Sequence, residues 1–543
     1  MLKLPLYAPH LVSAGRERGT LRRQTRQSRF GLAELKAGTT SFATRREFLS
    51  SLMIAAALSK DALGQLARLS FVDGSPQKQP EGTLEFASSD TALVEGFRWA
   101  KAQALAYRRD SPAIGPWYEA ALPGRNAFCM RDVSHMSTGA QLLGLAPRTR
   151  NMLRQFAEHI SASKKWCTWW EITGDGKPAP VDYKNDQNFW YDLPANFDVV
   201  DACYRQWLWS RDNAYLDDVF LNYYRRTVTD YVKQWDHNHD GLLEHLPTDG
   251  HMGIGTYDED LANDVLVGAD LIAAQYAAYD AYSAFQHAKD EQGIANEFAA
   301  KARDLKSLYN GKWWDTSRNC YFAALGEDGK FHPGLKASTG GTDIQFPLYF
   351  GLTESGPKTQ AALDQIEQRL RLDSATLGGI VGGVEGRTYL PDIFYNYGRS
   401  SSGYAVLVAL MNPALKRREY PEVSYTVIGN LGAGLMGIRP SSRPQEIETY
   451  PQLTAETEWA ALDHVPVGHN IISVKHTHAG ATTFSNESGP DIVWRASFPG
   501  NSKKLLVDGS RVPAESTTRA GGTVESFYAL HVRSGATRVV SVG

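Results

Sequence analysis

Apolar residues recur at helical spacing from Asp90 to about Ile438. Asp90 is placed to cap a helix in which Leu93, Phe97, Ala100 and Ala104 follow at intervals of four, three and four, a single stripe on one face. Comparable stripes cover 136–145, 149–162, 199–210, 214–234, 262–285, 293–314, 359–370, 402–411 and 424–438. Pro, Gly and Asn clusters separate them, so short connections should join antiparallel neighbours. About ten to twelve helices without a strand-rich interruption predict stacked helical hairpins, as an open solenoid or a closed toroid. No repeat of fixed period is visible, which disfavours tetratricopeptide and ankyrin arrays. After Ile438 the texture changes. A linker, Arg439-Pro440-Ser441-Ser442-Arg443-Pro444, leads into period-two runs at 471–478, 481–484, 492–498, 505–507, 524–532 and 539–542, which predict a small antiparallel sandwich. The expected domains are therefore a lead-in at 65–89, a helical domain at 90–438 and a β-sheet domain at 439–543.

The first 64 residues read differently. They hold 11 Lys or Arg against 4 acids, and Thr44-Arg45-Arg46-Glu47-Phe48-Leu49 opens an apolar stretch that ends at Leu58. Eleven residues are too few to cross a hydrocarbon core, which needs about 20. A charged region, a short apolar region and small residues at Ala62 and Gly64 predict an export signal, of the twin-arginine type because of the paired arginines. The mature protein is expected to be acidic and periplasmic or secreted. With a formal net charge of −3 over 543 residues, no basic face for nucleic acid is expected, and no other stretch reads as a membrane span. Cysteines at 129, 167, 203 and 320 make neither a zinc spacing nor a disulfide framework.

The chemistry sits in the loops between helices. Arg131-Asp132 and His135 begin one helix, and Trp169-Trp170-Glu171 and Trp190 follow. Glu244 closes an Asp- and Asn-rich turn, and Tyr257-Asp258-Glu259-Asp260 leads into a further helix. Glu385 ends a glycine-rich run, and Glu419 and Glu422 precede the last helix. Carboxyl groups beside Trp and Tyr at successive helix starts suit a sugar site: aromatic faces stack on pyranose rings, Arg bonds hydroxyls, and two carboxyls supply acid and base. Taken singly, each acid is also what a helix cap looks like and each Trp what a core residue looks like. The repetition on one helical array favours a site.

Other signals are weaker. Residues 378–386 are glycine-rich but lack the Gly-Lys-Ser/Thr ending of a phosphate loop. Asp236-x-Asn238-x-Asp240-Gly241 copies half a calcium loop, yet its twelfth position is Pro247, so an Asx-rich turn fits better. His237, His239, His245 and His251 show no zinc spacing. No metal or cofactor is expected, with calcium at 236–241 the one candidate.

In order and in motifs the chain resembles the six-hairpin glycoside hydrolases. The residues that carry the likeness are Gly255-Thr256-Tyr257-Asp258-Glu259-Asp260, Asp236 to Leu242, Arg418-Glu419-Tyr420-Pro421-Glu422, and the layout from Pro391 to Arg399 and on to Ile438. It is nearest the α-L-rhamnosidase branch, with features of the α-glucosidase and trehalase branches. The resemblance covers residues 90–543 and implies a mainly α fold, an (α/α)6 toroid followed by a small antiparallel β-sandwich. The chain lacks the rhamnosidases' Asp-Cys-Pro-x-Arg segment, and Tyr257 replaces a Trp. The implied activity is hydrolysis of an oligosaccharide, polysaccharide or glycoside, with Asp258 or Asp260 as general acid and Glu419 or Glu422 as base. Room for a water between the two groups implies inversion of configuration. Arg131, Asp132, His135, Trp169, Trp170, Glu171, Trp190, Glu244, Tyr257 and Glu385 are the expected sugar contacts. A carbohydrate lyase or epimerase on a similar toroid, and a non-catalytic glycan binder, are the alternatives.

Overall fold

The structure, a computed structural model, describes residues 80–257, 265–333, 342–375 and 384–543. The export-signal reading of residues 1–64, and the candidate acids Asp258 and Asp260, lie outside them.

Asp90 caps α1 (Thr91–Ala106) by accepting the Ala92 and Leu93 amides, and the Leu93, Phe97, Ala100 and Ala104 stripe is buried. The helices that follow are α2 (Met130–Leu142), α3 (Ala146–Glu158), α4 (Pro194–Ser210), α5 (Asp218–Arg226), α6 (Ala269–Ala288), α7 (Gln292–Lys312) and α8 (Thr342–Tyr349). They continue as α9 (Pro357–Ala375), α10 (Val384–Thr388), α11 (Leu390–Asn396), α12 (Ser400–Met411) and α13 (Pro421–Gly429). Helix α2 packs on α4, α4 on α6, α6 on α8 and α8 on α11; α10, beside α11, leads to α13, which returns to α2. The inner helices thus close a ring. Outside it, α1 lies against α13, α3 against α2 and α4, α7 against α6, α9 against α8, and α12 against α11.

Position in this arrangement explains the sequence patterns. Every residue of α13 is buried, as a helix covered on all sides requires, so it shows no polar face. Where the sequence predicts one helix over 214–234, the chain makes a short turn at Asn213–Leu216, then α5, then a wide π-type turn at Thr227–Tyr231. A second wide turn, Asn430–Leu435, extends α13.

The helical body also carries strands that its helical periodicity does not announce. Ala127–Cys129 pairs antiparallel with Glu171–Thr173, and Tyr191–Asp192 pairs in parallel with Met252–Ile254. These short ladders tie together the segments that lead into α2, into α4 and up to Tyr257. They hold the site's loops to one another.

The C-terminal region is built of two sheets. Its strands, with one from ahead of the helices, are β1 (Glu85–Ser88), β2 (Arg439–Pro440), β3 (Glu446–Thr449), β4 (Trp459–Val467), β5 (Asn470–Thr477) and β6 (Ala481–Ser488). They continue as β7 (Ile492–Pro499), β8 (Lys504–Val507), β9 (Ser510–Pro513), β10 (Glu515–Thr518), β11 (Val524–Val532) and β12 (Thr537–Val542). One sheet runs β1-β4-β5-β6-β12-β8-β9 and the other β2-β3-β7-β11-β10. Phe484 of one sheet stacks on Trp494 of the other, ring centres 4.9 Å apart, in the core of a sandwich. The sequence places residues 65–89 in a separate lead-in; in the structure Glu85–Ser88 is an edge strand of the larger sheet, with Phe86 opposite Leu462. The described residues form one unit. Buried His476 joins its parts, its Nε2 donating to the Met436 carbonyl at 2.9 Å while Thr482 bonds Nδ1. Burial pushes this imidazole down to about 4, so it stays neutral.

Candidate functional site

A cavity of about 200 Å³, counting its open mouth, lies among α2, α4, Tyr257, the end of α8 and Tyr389. Its polar wall is Arg131, Ser134, His135, Asp198 and Arg205, and its aromatic wall is Tyr257, Tyr349, Phe350 and Tyr389.

Helix α2 supplies His135 because residues 131, 134, 135 and 138 share one face of a helix. The imidazole is sandwiched flat on Tyr389, ring centres 3.7 Å apart and 9° from parallel. Its Nδ1 lies 2.6 Å from Glu422 Oε1 and its Nε2 3.4 Å from Asp392 Oδ2. Burial opposes a charge there, but the Glu422 carboxylate and the bonds to Asp392 and Glu422 outweigh it and bring His135 up to about 9. His135 is therefore an imidazolium at neutral pH, donating on both sides. Glu422, on the first turn of α13, is 1% exposed; its Oε1 is tied to His135, and its Oε2 has no partner among the described residues. Asp392, on α11, also accepts from Asn430 Nδ2 at 2.9 Å.

Asp132 is taken up differently. Its Oδ2 accepts from Cys129 Sγ at 2.6 Å and its Oδ1 from Tyr420 Oη at 2.5 Å. Burial first, and then the Glu422 charge, raises it to about 7 against the opposing pull of Arg131. Both oxygens are engaged away from the cavity lining, so in this structure Asp132 braces the start of α2 against residue 420.

On α4, Asp198 is 4% exposed and lines the cavity. Tyr257 Oη donates to its Oδ1; its Oδ2 has no partner among the described residues. Burial lifts this carboxyl to about 8, with Tyr257 and Arg131 pulling the other way. Arg205, two turns on, donates to Asp201 at 2.8 Å and to the Ser134 carbonyl at 3.2 Å. Tyr257 is itself fixed by its amide, which donates to Asp270 Oδ2 at 2.8 Å. It is the last described residue before Asp258.

Of the residues singled out in the sequence, Arg131, His135 and Tyr257 line this cavity and Glu422 backs it. The Arg131 guanidinium lies 5.5 Å from the Trp170 ring and 5.7 Å from the Tyr257 ring, and Trp170 meets Trp190 edge to face at 4.8 Å. These aromatics therefore form a second layer around Arg131. Glu171 is buried and bonded by Arg125 at 2.7 Å. The others are elsewhere. Trp169 stacks on His159 at 3.6 Å, and Glu244 accepts the His237 and Asn238 amides to close its turn. Glu385 pairs with Arg417 at 2.6 Å, and Glu419 is exposed. In the 236–241 turn, Asp236 accepts the Asp240 and Gly241 amides, both at 3.0 Å. Among the described residues no group of three or more His, Cys, Asp or Glu could hold a metal ion, and no helix is long and apolar enough to cross a membrane.

Sequence reasoning missed Asp198, Arg205, Asp392, Tyr349 and Tyr389. Asp198, Asp201 and Arg205 did leave a trace: charges three and four apart along one face of an otherwise apolar helix. The rest come from separate helices that only the closed ring brings together.

No protein-family model and no curated protein sequence matches the chain. Solved structures do. An α-L-rhamnosidase from Aspergillus terreus superposes with a TM-score of 0.53 and 15% sequence identity, over 84% of this chain and 51% of its own. An α-L-rhamnosidase from Dictyoglumus thermophilum gives 0.52 and 12%, over 85% and 51%. A sialidase gives 0.51 and 14%, over 72% and 38%. The chain spans about half the length of the rhamnosidases it matches. At these identities what is shared is a fold, a helical body with strands around it that is also found in glycoside hydrolases.

Proposed function

We propose that the chain is a glycoside hydrolase whose helical ring is an (α/α)6 barrel and whose catalytic base is Glu422. The observation that carries this reading is the Glu422–His135 pair beside the cavity. A carboxyl group bonded through one oxygen to a histidine, with its other oxygen without a partner among the described residues, is suited to take a proton from water. The aromatic wall of Tyr257, Tyr349 and Tyr389 supplies faces for a sugar ring. The proton donor in this reading is Asp258 or Asp260, the carboxyls that follow Tyr257. In this reading water, activated by Glu422, attacks opposite the leaving group and the anomeric configuration inverts. Two solved neighbours are α-L-rhamnosidases, so L-rhamnosides head the candidate substrates. Export by the twin-arginine route would place the activity outside the cytoplasm.

A panel of 4-nitrophenyl glycosides, α-L-rhamnoside first, tests the proposal. Turnover of at least one is expected, with the first-formed anomer inverted by NMR. Glu422→Gln should lose about 10²–10⁴ in rate, while Glu419→Ala stays near wild type. Retention of configuration, or full activity in Glu422→Gln, would remove Glu422 from the role.

A further inference from the structure

Asp198 has no place in the acid–base scheme above, yet it is built into the same cavity. It sits on α4, inside the ring, where ladder-anchored loops leave it little freedom. Tyr257 Oη donates to its Oδ1, and the buried Oδ2, on a residue that lines the cavity, has no partner among the described residues. Ser134, Tyr349 and Tyr389 are its neighbours on that wall. A buried polar atom in a protein interior ordinarily has a hydrogen-bond partner, and one left over on a cavity wall marks the place of a ligand atom.

We propose that Asp198 Oδ2 is a binding contact to a hydroxyl oxygen of the sugar ring, made as a hydrogen-bond donor. This rests on the hydrolase reading and assigns that site a specificity residue. Among the described residues, the charged and titratable groups that act on Asp198 or share its cavity wall are Arg131 and His135 from α2, Asp201 and Arg205 from its own helix, Tyr257, and the Tyr349 and Tyr389 hydroxyls. Arg205 is spent on Asp201 and the Ser134 carbonyl. The attraction of Arg131 is opposed by the loss of water and by Asp201. The outcome is a carboxyl that keeps its proton up to about 8. A neutral acid offers a donor where a carboxylate would offer only acceptors. Asparagine offers a donor too, through its amide, and alanine offers nothing. That chemical difference separates a binding donor from a proton-transfer acid, because asparagine cannot give up a proton in catalysis.

The experiment uses wild type, Asp198→Asn and Asp198→Ala. Calorimetric titration with free L-rhamnose, D-glucose, D-galactose and D-mannose at pH 6 and pH 9.5 needs no turnover. For the sugar that binds wild type, affinity is expected to fall at least tenfold from pH 6 to pH 9.5, as Asp198 ionises. Asp198→Asn should bind within about tenfold of wild type at pH 6 and show a clearly smaller alkaline loss, the remainder being that of His135, which gives up its proton near 9. Asp198→Ala should bind at least about 30-fold more weakly while melting within a few degrees of wild type. If Asp198→Asn binds as poorly as Asp198→Ala, or if the alkaline loss is as large in Asp198→Asn as in wild type, the proposal is overturned. Failure of wild type to bind any of the four sugars overturns it as well. Turnover of the aryl glycoside panel by the same samples separates those results from failure of the hydrolase reading, which would leave all glycosides intact.

Discussion

At the scale of the residue, the site is a set of carboxyl groups distinguished by their hydrogen-bond partners. Glu422 faces an imidazolium, Asp198 a phenol, and Asp132 a thiol and a phenol. His135 is the hinge of that difference, and its protonation couples to stability. Its folded value of about 9 lies above the ordinary histidine value near 6.5. The stability it contributes is therefore complete below about pH 6.5 and is lost as pH rises through 9. A shift of that size corresponds to roughly 3 kcal/mol. His135→Gln should accordingly melt well below wild type at pH 6, with the gap narrowing by pH 10. A gap that stays constant across that range, measured by calorimetry, would show that the ring acts by packing on Tyr389 alone. Part of this was legible in advance. Glu422 stood out as an acid beside the last helix, and His135 as a polar residue at the start of an early one. Their mutual contact was not legible, since 287 residues separate them and no local pattern records it.

At the scale of the element, inner helices approach closely where side chains are smallest. A Cβ added at Gly139 on α2 would come within 2.1 Å of the Tyr425 carbonyl oxygen on α13. Backbone cannot swing aside as a flexible side chain can, so α2 and α13 would have to separate. Gly139→Ala is expected to cost about 2–4 kcal/mol by overpacking and to lower the melting temperature by several degrees. Because Glu422 and His135 sit on these two helices, the hydrolysis proposed above should fall too, on folded protein and at saturating substrate. A Gly139→Ala protein with unchanged melting would mean that the helices are less tightly held than the geometry implies. The amphipathic stripes made the outer helices readable, as α1 illustrates. The inner ones were harder: α13 is buried on every side, so its pattern gives neither its face nor its length, and the wide turn at Asn430–Leu435 follows it without a break in hydrophobicity. The short loop strands were missed because two- and three-residue ladders carry no periodicity.

At the scale of the whole molecule, the sandwich and the ring depend on each other. Phe86 in β1 lies opposite Leu462 of β4 and packs its ring against Phe97 of α1, and His476 bonds a carbonyl at the end of the helical body. Deleting residues 439–543 should therefore leave a helical body without a cooperative melting transition, read by circular dichroism and calorimetry. A sharp transition in the truncated chain would show that the body folds alone. The pairing of β1 with β4 also has a consequence in time. Ser88 leaves the ribosome 371 residues ahead of Trp459, whose carbonyl its hydroxyl bonds. At ordinary rates of synthesis, about 5–20 residues per second, that strand waits roughly 20–75 s for its mate. Over the same interval the ring is an open arc, because α13, which closes it onto α2, is also made late. The nascent chain thus carries an unsatisfied strand edge and a half-lined core until α13 and then β4 have been made.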